Sequence, residues 1–251
     1  MASADIARPP GAPVAELAWP EIAARLADGA IAVLPIGAAA KEHGPHLPLG
    51  TDAVQAQWLA STLCGARKVL VWPTLTYGFY PVFVDYPGSI SLGRATFIAT
   101  VREILDGIAA AGATRIAILK TGVSTIEPLR VAAQSLLGTV RVRLINVYAG
   151  PVFMATSAAV AVQAFGGHAD EIETSIMLAL APALVKMALA GTAATPIERG
   201  LFNRQMSSAA NYSPLGINGD ASVATTAKGQ RLLDALRVDL LAEIDTMEET
   251  R

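Results

Sequence analysis

The stretch Ala30-Ile-Ala-Val-Leu-Pro-Ile36 is apolar from end to end, too short for an ordinary helix and without the polar alternation of a half-exposed strand. A run of this kind belongs in a parallel strand that is covered on both faces. It follows a helical pattern over 14–28 that stops at Gly29. The same alternation recurs downstream, with helices expected near 53–64, 95–111 and 127–137 and strands at 68–74, 115–119 and 141–147. Alternating strands and helices predict βαβ units and an α/β fold with a mostly parallel sheet. Residues 1–13, rich in Ala and Pro, read as a flexible arm, and 14–251 as one domain without an internal repeat or linker. The segment 202–225 reads as an ordered loop ahead of a final amphipathic helix over 226–247.

Ligands of such sheets bind beyond the carboxyl ends of the strands, which brings the loops 37–52, 75–93 and 120–126 toward one pocket. The first reads Glu42-His43-Gly-Pro-His46-Leu-Pro-Leu-Gly-Thr-Asp52 and sets two of the chain's three histidines between two carboxylates. Imidazole and carboxylate are the ligands that hold zinc, manganese or iron at neutral pH. The third histidine opens His168-Ala-Asp-Glu-Ile-Glu173, a polar start to an apolar helical pattern. A helix N-terminus carries unpaired N–H groups and partial positive charge, which suits a carboxylate or a metal-bound hydroxide. The plainer account of the same residues is a helix cap, with Asp170 and Glu171 complementing the dipole.

Composition narrows the partners. A net charge of −2 provides no electrostatic footprint for nucleic acid or an anionic membrane, so a small molecule is the expected partner. The single cysteine, Cys64, excludes an internal disulfide and fits a reducing cytoplasm, with core packing as its role. Every apolar stretch falls short of the roughly 18 residues a membrane helix needs.

The segment Leu34-Pro-Ile-Gly-Ala-Ala-Ala-Lys-Glu-His-Gly-Pro-His-Leu-Pro-Leu-Gly-Thr-Asp52 resembles the signature of the creatininase family of creatinine amidohydrolases. There, Gly-Ser-X-Glu-Gln-His-Gly-Pro-His-Leu-Pro precedes Thr-Asp. Segments 86–92, 168–175, 213–222 and 224–229 resemble further family segments in the same order. The resemblance implies a single three-layer, Rossmann-like domain, frequent hexameric assembly, and metal-dependent hydrolysis of small cyclic or linear amides. It implies that Asp52 bridges metals, that His43 binds one, that His168 assists proton transfer to the leaving amine, and that Glu173 lines the metal pocket. His46 matches a position that fixes the loop by hydrogen bonding.

Two departures stand beside the match. The family's Glu lies two residues before the His, where this chain has Lys41; its nearby carboxylate, Glu42, is adjacent to His43. Neighbours in extended chain point to opposite sides, so Glu42 joins His43 at one ion only if the loop bulges, and otherwise serves as an outer partner. After the 115–119 strand the family supplies His and Glu ligands, whereas this chain reads Lys120-Thr-Gly-Val-Ser-Thr. A lost ion leaves surplus negative charge, and both altered loops carry a cation. Lys41 and Lys120 could therefore stabilise an oxyanion or move a proton beside one divalent ion per chain; the alternative is that both are solvated loop residues.

The expected chemistry is attack of metal-activated water on an amide, lactam or cyclic ureide, with Glu42, His43, Asp52 and Glu173 around a zinc, manganese or iron ion and His168 as general acid or base. Two other readings stand against it: a non-catalytic relative that binds a metabolite or partner, and a metal-dependent lyase or isomerase. A mean hydropathy of +0.44 adds to the resemblance in predicting a homo-oligomer, a hexamer, in place of a lone monomer.

Overall fold

A computed structural model describes residues 9–122, 124–136, 138, 140–193 and 213–249. Five strands form one sheet: β1 (Ala12–Pro13), β2 (Ile31–Ile36), β3 (Val69–Val71), β4 (Arg115–Lys120) and β5 (Arg141–Asn146). Their order is β1-β3-β2-β4-β5, and every pairing is parallel. Helices α1 (Trp19–Ala27), α2 (Thr51–Ala66), α3 (Arg94–Ala110), α4 (Ile126–Ala133), α5 (Pro151–Val160), α6 (Glu171–Leu180) and α7 (Thr226–Glu249) complete the fold.

The strand at the centre explains the layers. All six residues of β2 are buried, and alternate side chains serve opposite faces. Ile31 and Val33 pack with Leu59 of α2, Phe153 of α5, Ile176 of α6 and Leu236 of α7. Ala32, Leu34 and Ile36 pack with Leu26 of α1, Phe97 and Val101 of α3, and Leu129 of α4. The expected three-layer α/β architecture is present.

Local chemistry moved several boundaries. The helical pattern over 14–28 is divided into a 3-10 turn at Val14–Glu16 and α1, because Pro20 is tolerated only in a helix's first turn. The strand expected at 68–74 shortens to β3, ending before Pro73, which has no N–H to donate. Within the stretch read as an arm, Ala12 and Pro13 pair with Leu70 and Val71 as the edge strand; 1–8 lie outside the described residues. Of the loop expected over 202–225, residues 202–212 also lie outside them. Helix α5 was not foreseen.

The chain goes from β2 to β3 on one side, then returns to β4 on the other. The sheet's switch point therefore falls at the carboxyl ends of β2 and β4, where α/β sheets place their ligands.

Candidate metal centre

Beyond β2 the chain turns through the Glu42–His43 loop and returns as α2, whose first turn carries Asp52. Gly37 makes that return possible, since a Cβ there would stand 2.4 Å from the Asp52 carbonyl oxygen. The loop is held by Ala53 N–H donating to Ala38 O at 3.0 Å and Glu42 N–H donating to Ser89 Oγ at 3.0 Å. From the opposite side comes the start of α6. Its cap is Asp170, whose Oδ1 accepts from Ile172 N–H at 3.0 Å and Glu173 N–H at 3.1 Å, so the cap reading of these residues holds alongside any chemistry. His168 precedes the cap and exchanges two backbone hydrogen bonds with Asn218.

These segments bring His43, His168 and Glu173 together, with one ligand atom from each within 4.8 Å of the others. The two imidazole centroids are 5.1 Å apart, and Phe83 lies 4.7 Å from that of His168. His43 Nε2 is 3.6 Å from Glu173 Oε1 and 3.3 Å from Asp52 Oδ1. The other Glu173 oxygen accepts from Ala169 N–H at 2.8 Å.

The outer partners assign the ring protons. His43 Nδ1 faces Lys41 O at 2.8 Å, an acceptor only, so that nitrogen donates. His168 Nε2 faces Glu42 Oε2 at 3.0 Å and donates to the carboxylate. In the neutral rings the lone pairs then fall on His43 Nε2 and His168 Nδ1, the latter 4.0 Å from Glu173 Oε2. A carbonyl and a carboxylate holding the far nitrogens is the arrangement that orients metal-binding histidines. Glu42 is thus placed behind His168, its other oxygen accepting from Gly44 N–H. The backbone at Gly216, φ +66°, approaches the same carboxylate too closely to leave room for a side chain.

Asp52 is engaged differently. Lys41 Nζ lies 2.6 Å from Asp52 Oδ2, with both side chains buried. The same ammonium sits 5.2 Å from the Phe83 ring centre and 5.6 Å from that of Tyr80. Burial would raise the Asp52 pKa, but Lys41 and then His43 outweigh it and hold the carboxyl well below its usual range. Glu173 is likewise lowered: burial opposes ionisation, and His43, His168 and Lys41 overcome it. Burial and Lys41 push His43 downward, yet Asp52 and Glu173 leave it raised above 6.5 in the metal-free chain.

Lys120, at the end of β4, is also buried rather than solvated; burial lowers its pKa to about 8. Its Nζ donates to Gly122 O at 3.1 Å and Asn146 Oδ1 at 3.0 Å, tying the ends of β4 and β5. Thr121 Oγ1 donates to Asp52 O at 3.3 Å. His46 stands below the cluster with Nε2 at 2.8 Å from Thr174 Oγ1, and burial takes its pKa to about 4, leaving it neutral.

Sequence reasoning passed over two members of the surroundings. Tyr148 O–H donates to Gln55 Oε1, and burial, with the nearby Glu173 and Asp52 charges, raises the phenol well above 10. Gln55 was within reach of pattern reasoning, because it lies three residues after Asp52 on the same helix face. Tyr148 follows a strand end and carries no local signal.

Residues 15–244 match the family model Creatininase, described as creatinine amidohydrolase. The chain is 31% identical over 223 residues to a mycofactocin precursor peptide peptidase of Mycolicibacterium smegmatis, covering 80% of this chain and 78% of that one. It is 28% identical over 192 residues to the creatinine amidohydrolase of Pseudomonas putida, covering 69% and 74%. Among solved structures, a creatininase variant described as Zn-Zn type superposes with a TM-score of 0.78 at 25% identity, covering 95% of this chain and 98% of that one.

Proposed function

Since the chain belongs to the Creatininase family, matched over residues 15–244, we propose that it is a metal-dependent hydrolase of an amide C–N bond, working with one divalent ion held by His43, His168 and Glu173. The observation that carries this is the convergence of those three ligand atoms within 4.8 Å. Two imidazoles and one carboxylate form a donor set suited to zinc, which leaves a further position for water; manganese and iron accept the same ligand types. When bound, such an ion lowers the pKa of water toward neutrality and polarises a carbonyl oxygen.

The chain's own residues prepare the centre. Lys41 O fixes the proton on His43 Nδ1, and Glu42 fixes it on His168 Nε2, so each ring keeps the tautomer that binds. Ala169 N–H pins Glu173 Oε2. This reading makes His168 a ligand instead of the proton carrier the sequence suggested. Lys120 acts through position, since its ammonium is occupied by Gly122 and Asn146.

The named relatives, a peptidase and a creatinine amidohydrolase, support an amide as the bond cut, in a small amide, lactam, cyclic ureide or short peptide. The Zn-Zn type structure supports zinc. We further place the chain in a homo-hexamer on its exposed apolar side chains, among them Trp19, Val152 and Met154, and in the cytoplasm on its free Cys64. A binding-only relative is the second reading, favoured by Thr121 and Gly122 where a ligand side chain was expected after β4.

Elemental analysis of the purified protein should give one divalent ion per chain, and His43→Ala and His168→Ala should each remove it together with hydrolysis. Metal retained in His168→Ala, with turnover down about 10²–10⁴, would return His168 to proton transfer. Metal-loaded protein that cleaves no member of a panel of cyclic ureides, lactams, linear amides and short peptides would leave the binding-only reading standing.

A further inference from the structure

Three carboxylates, Glu42, Asp52 and Glu173, stand around the two histidines, yet only Glu173 is grouped with both rings as a ligand set. Glu42 is committed to His168 Nε2 and Gly44 N–H. Asp52 is the one whose exclusion needs explaining, because its Oδ1 lies 3.3 Å from His43 Nε2, the nitrogen that would meet an ion. What distinguishes it is the ammonium of Lys41, 2.6 Å from its other oxygen and sealed from water with it. Lys41 is itself held between the Asp52 charge and the faces of Phe83 and Tyr80, where a cation is attracted by the ring quadrupoles.

We propose that Lys41 is a positioning residue that reserves Asp52 for itself, limiting the centre to a single divalent ion bound through His43, His168 and Glu173. The inference rests on the metal reading above and adds what sets stoichiometry and affinity. A divalent ion drawing on Asp52 would have to share that carboxylate with a buried positive charge, and like charges in a poorly screened interior repel strongly. Without the ammonium, Asp52 would be a bare buried carboxylate beside His43, and binding an ion is the way for such a group to recover its lost hydration.

The test is a competition titration of full-length protein with Zn²⁺ and with Mn²⁺ against a chromophoric chelator, at one pH. Lys41→Met should bind about 10–100-fold more tightly than wild type, the scale on which outer partners alter metal sites, and the gain should vanish in Lys41→Met/Asp52→Asn. Circular dichroism verifies folding, and Lys41→Gln, which keeps a hydrogen-bond donor but no charge, carries the same comparison should the Met variant fail to fold. Unchanged or weaker binding in folded Lys41 variants, with wild type binding one ion, overturns the proposal alone. A gain that survives in the double variant overturns it too, because loss of charge rather than release of Asp52 would then be responsible. If neither wild type nor the Lys41 variants bind either ion, the metal reading itself fails.

Discussion

Ala169 is the only described non-glycine residue with a positive φ, 49°, and it stands between His168 and the helix cap Asp170. Such a conformation costs about 1–3 kcal/mol unless its surroundings compensate. Here the same peptide turns its N–H to Glu173, so the strained residue helps aim one ligand and pin another. The ligands also predict a pH dependence. His43 is raised above 6.5 in the metal-free chain, so an incoming ion must displace a proton from it up to that raised value. Apparent zinc affinity should therefore fall by at least about tenfold per pH unit below the folded pKa, the proton on His43 being released as the ion binds. The sign for stability is opposite: the metal-free fold gains from His43 below 6.5 and loses that gain as pH rises through the folded pKa. Titrations between pH 5.5 and 8.5 that give a flat affinity would remove His43 from the ligands. Scarcity made His43 and His168 readable in the sequence, since three histidines in two polar segments leave little choice. The pairing of Lys41 with Asp52 was not readable, because a lysine in a loop has the same local signature whether it is solvated or buried against a carboxylate eleven residues away.

At the level of elements, hydrophobic period located β2, β3, β4 and β5 to within a few residues and six of the seven described helices with them. Helix α5 escaped because it offers no stripe: its apolar residues run around the helix, with Val152 and Met154 exposed while Phe153 and Val160 are buried. Helices α6 and α7 are the pair that fixes the centre from behind. Gly229 lets them touch, since a Cβ there would stand 1.8 Å from the Ser175 carbonyl oxygen. Backbone cannot yield as a side-chain tip can, so Gly229→Ala should cost about 1–3 kcal/mol or more in stability. Because Ser175 lies two residues past Glu173, the same change should weaken zinc binding. Denaturation midpoints and zinc titrations both matching wild type would show that the two helices do not need this contact.

For the whole molecule, the proposed assembly is open to a direct test; Trp19, 80% exposed, is one of the apolar side chains it would cover. Light scattering at micromolar concentration should give a mass several times the 26.0 kDa of one chain; a mass near one chain would dismiss the hexamer. The centre itself draws on residues far apart along the polypeptide, His43 from the loop after β2 and His168 from the approach to α6. An ion joining them is a removable cross-link closing a loop of about 125 residues. In polymer terms it would act as a disulfide does, denying the unfolded chain the conformations in which those points drift apart. Saturation at 100 times the Kd corresponds to about 2.7 kcal/mol, which for a chain of this size raises Tm by about 5–10 °C. Calorimetry with zinc and then with excess chelator measures that difference, and coincident melting curves would mean that no ion joins the two ends. With the ion bound, the fold owes its endurance in part to an element it can exchange with its surroundings, so that metal supply sets its lifetime as well as its chemistry.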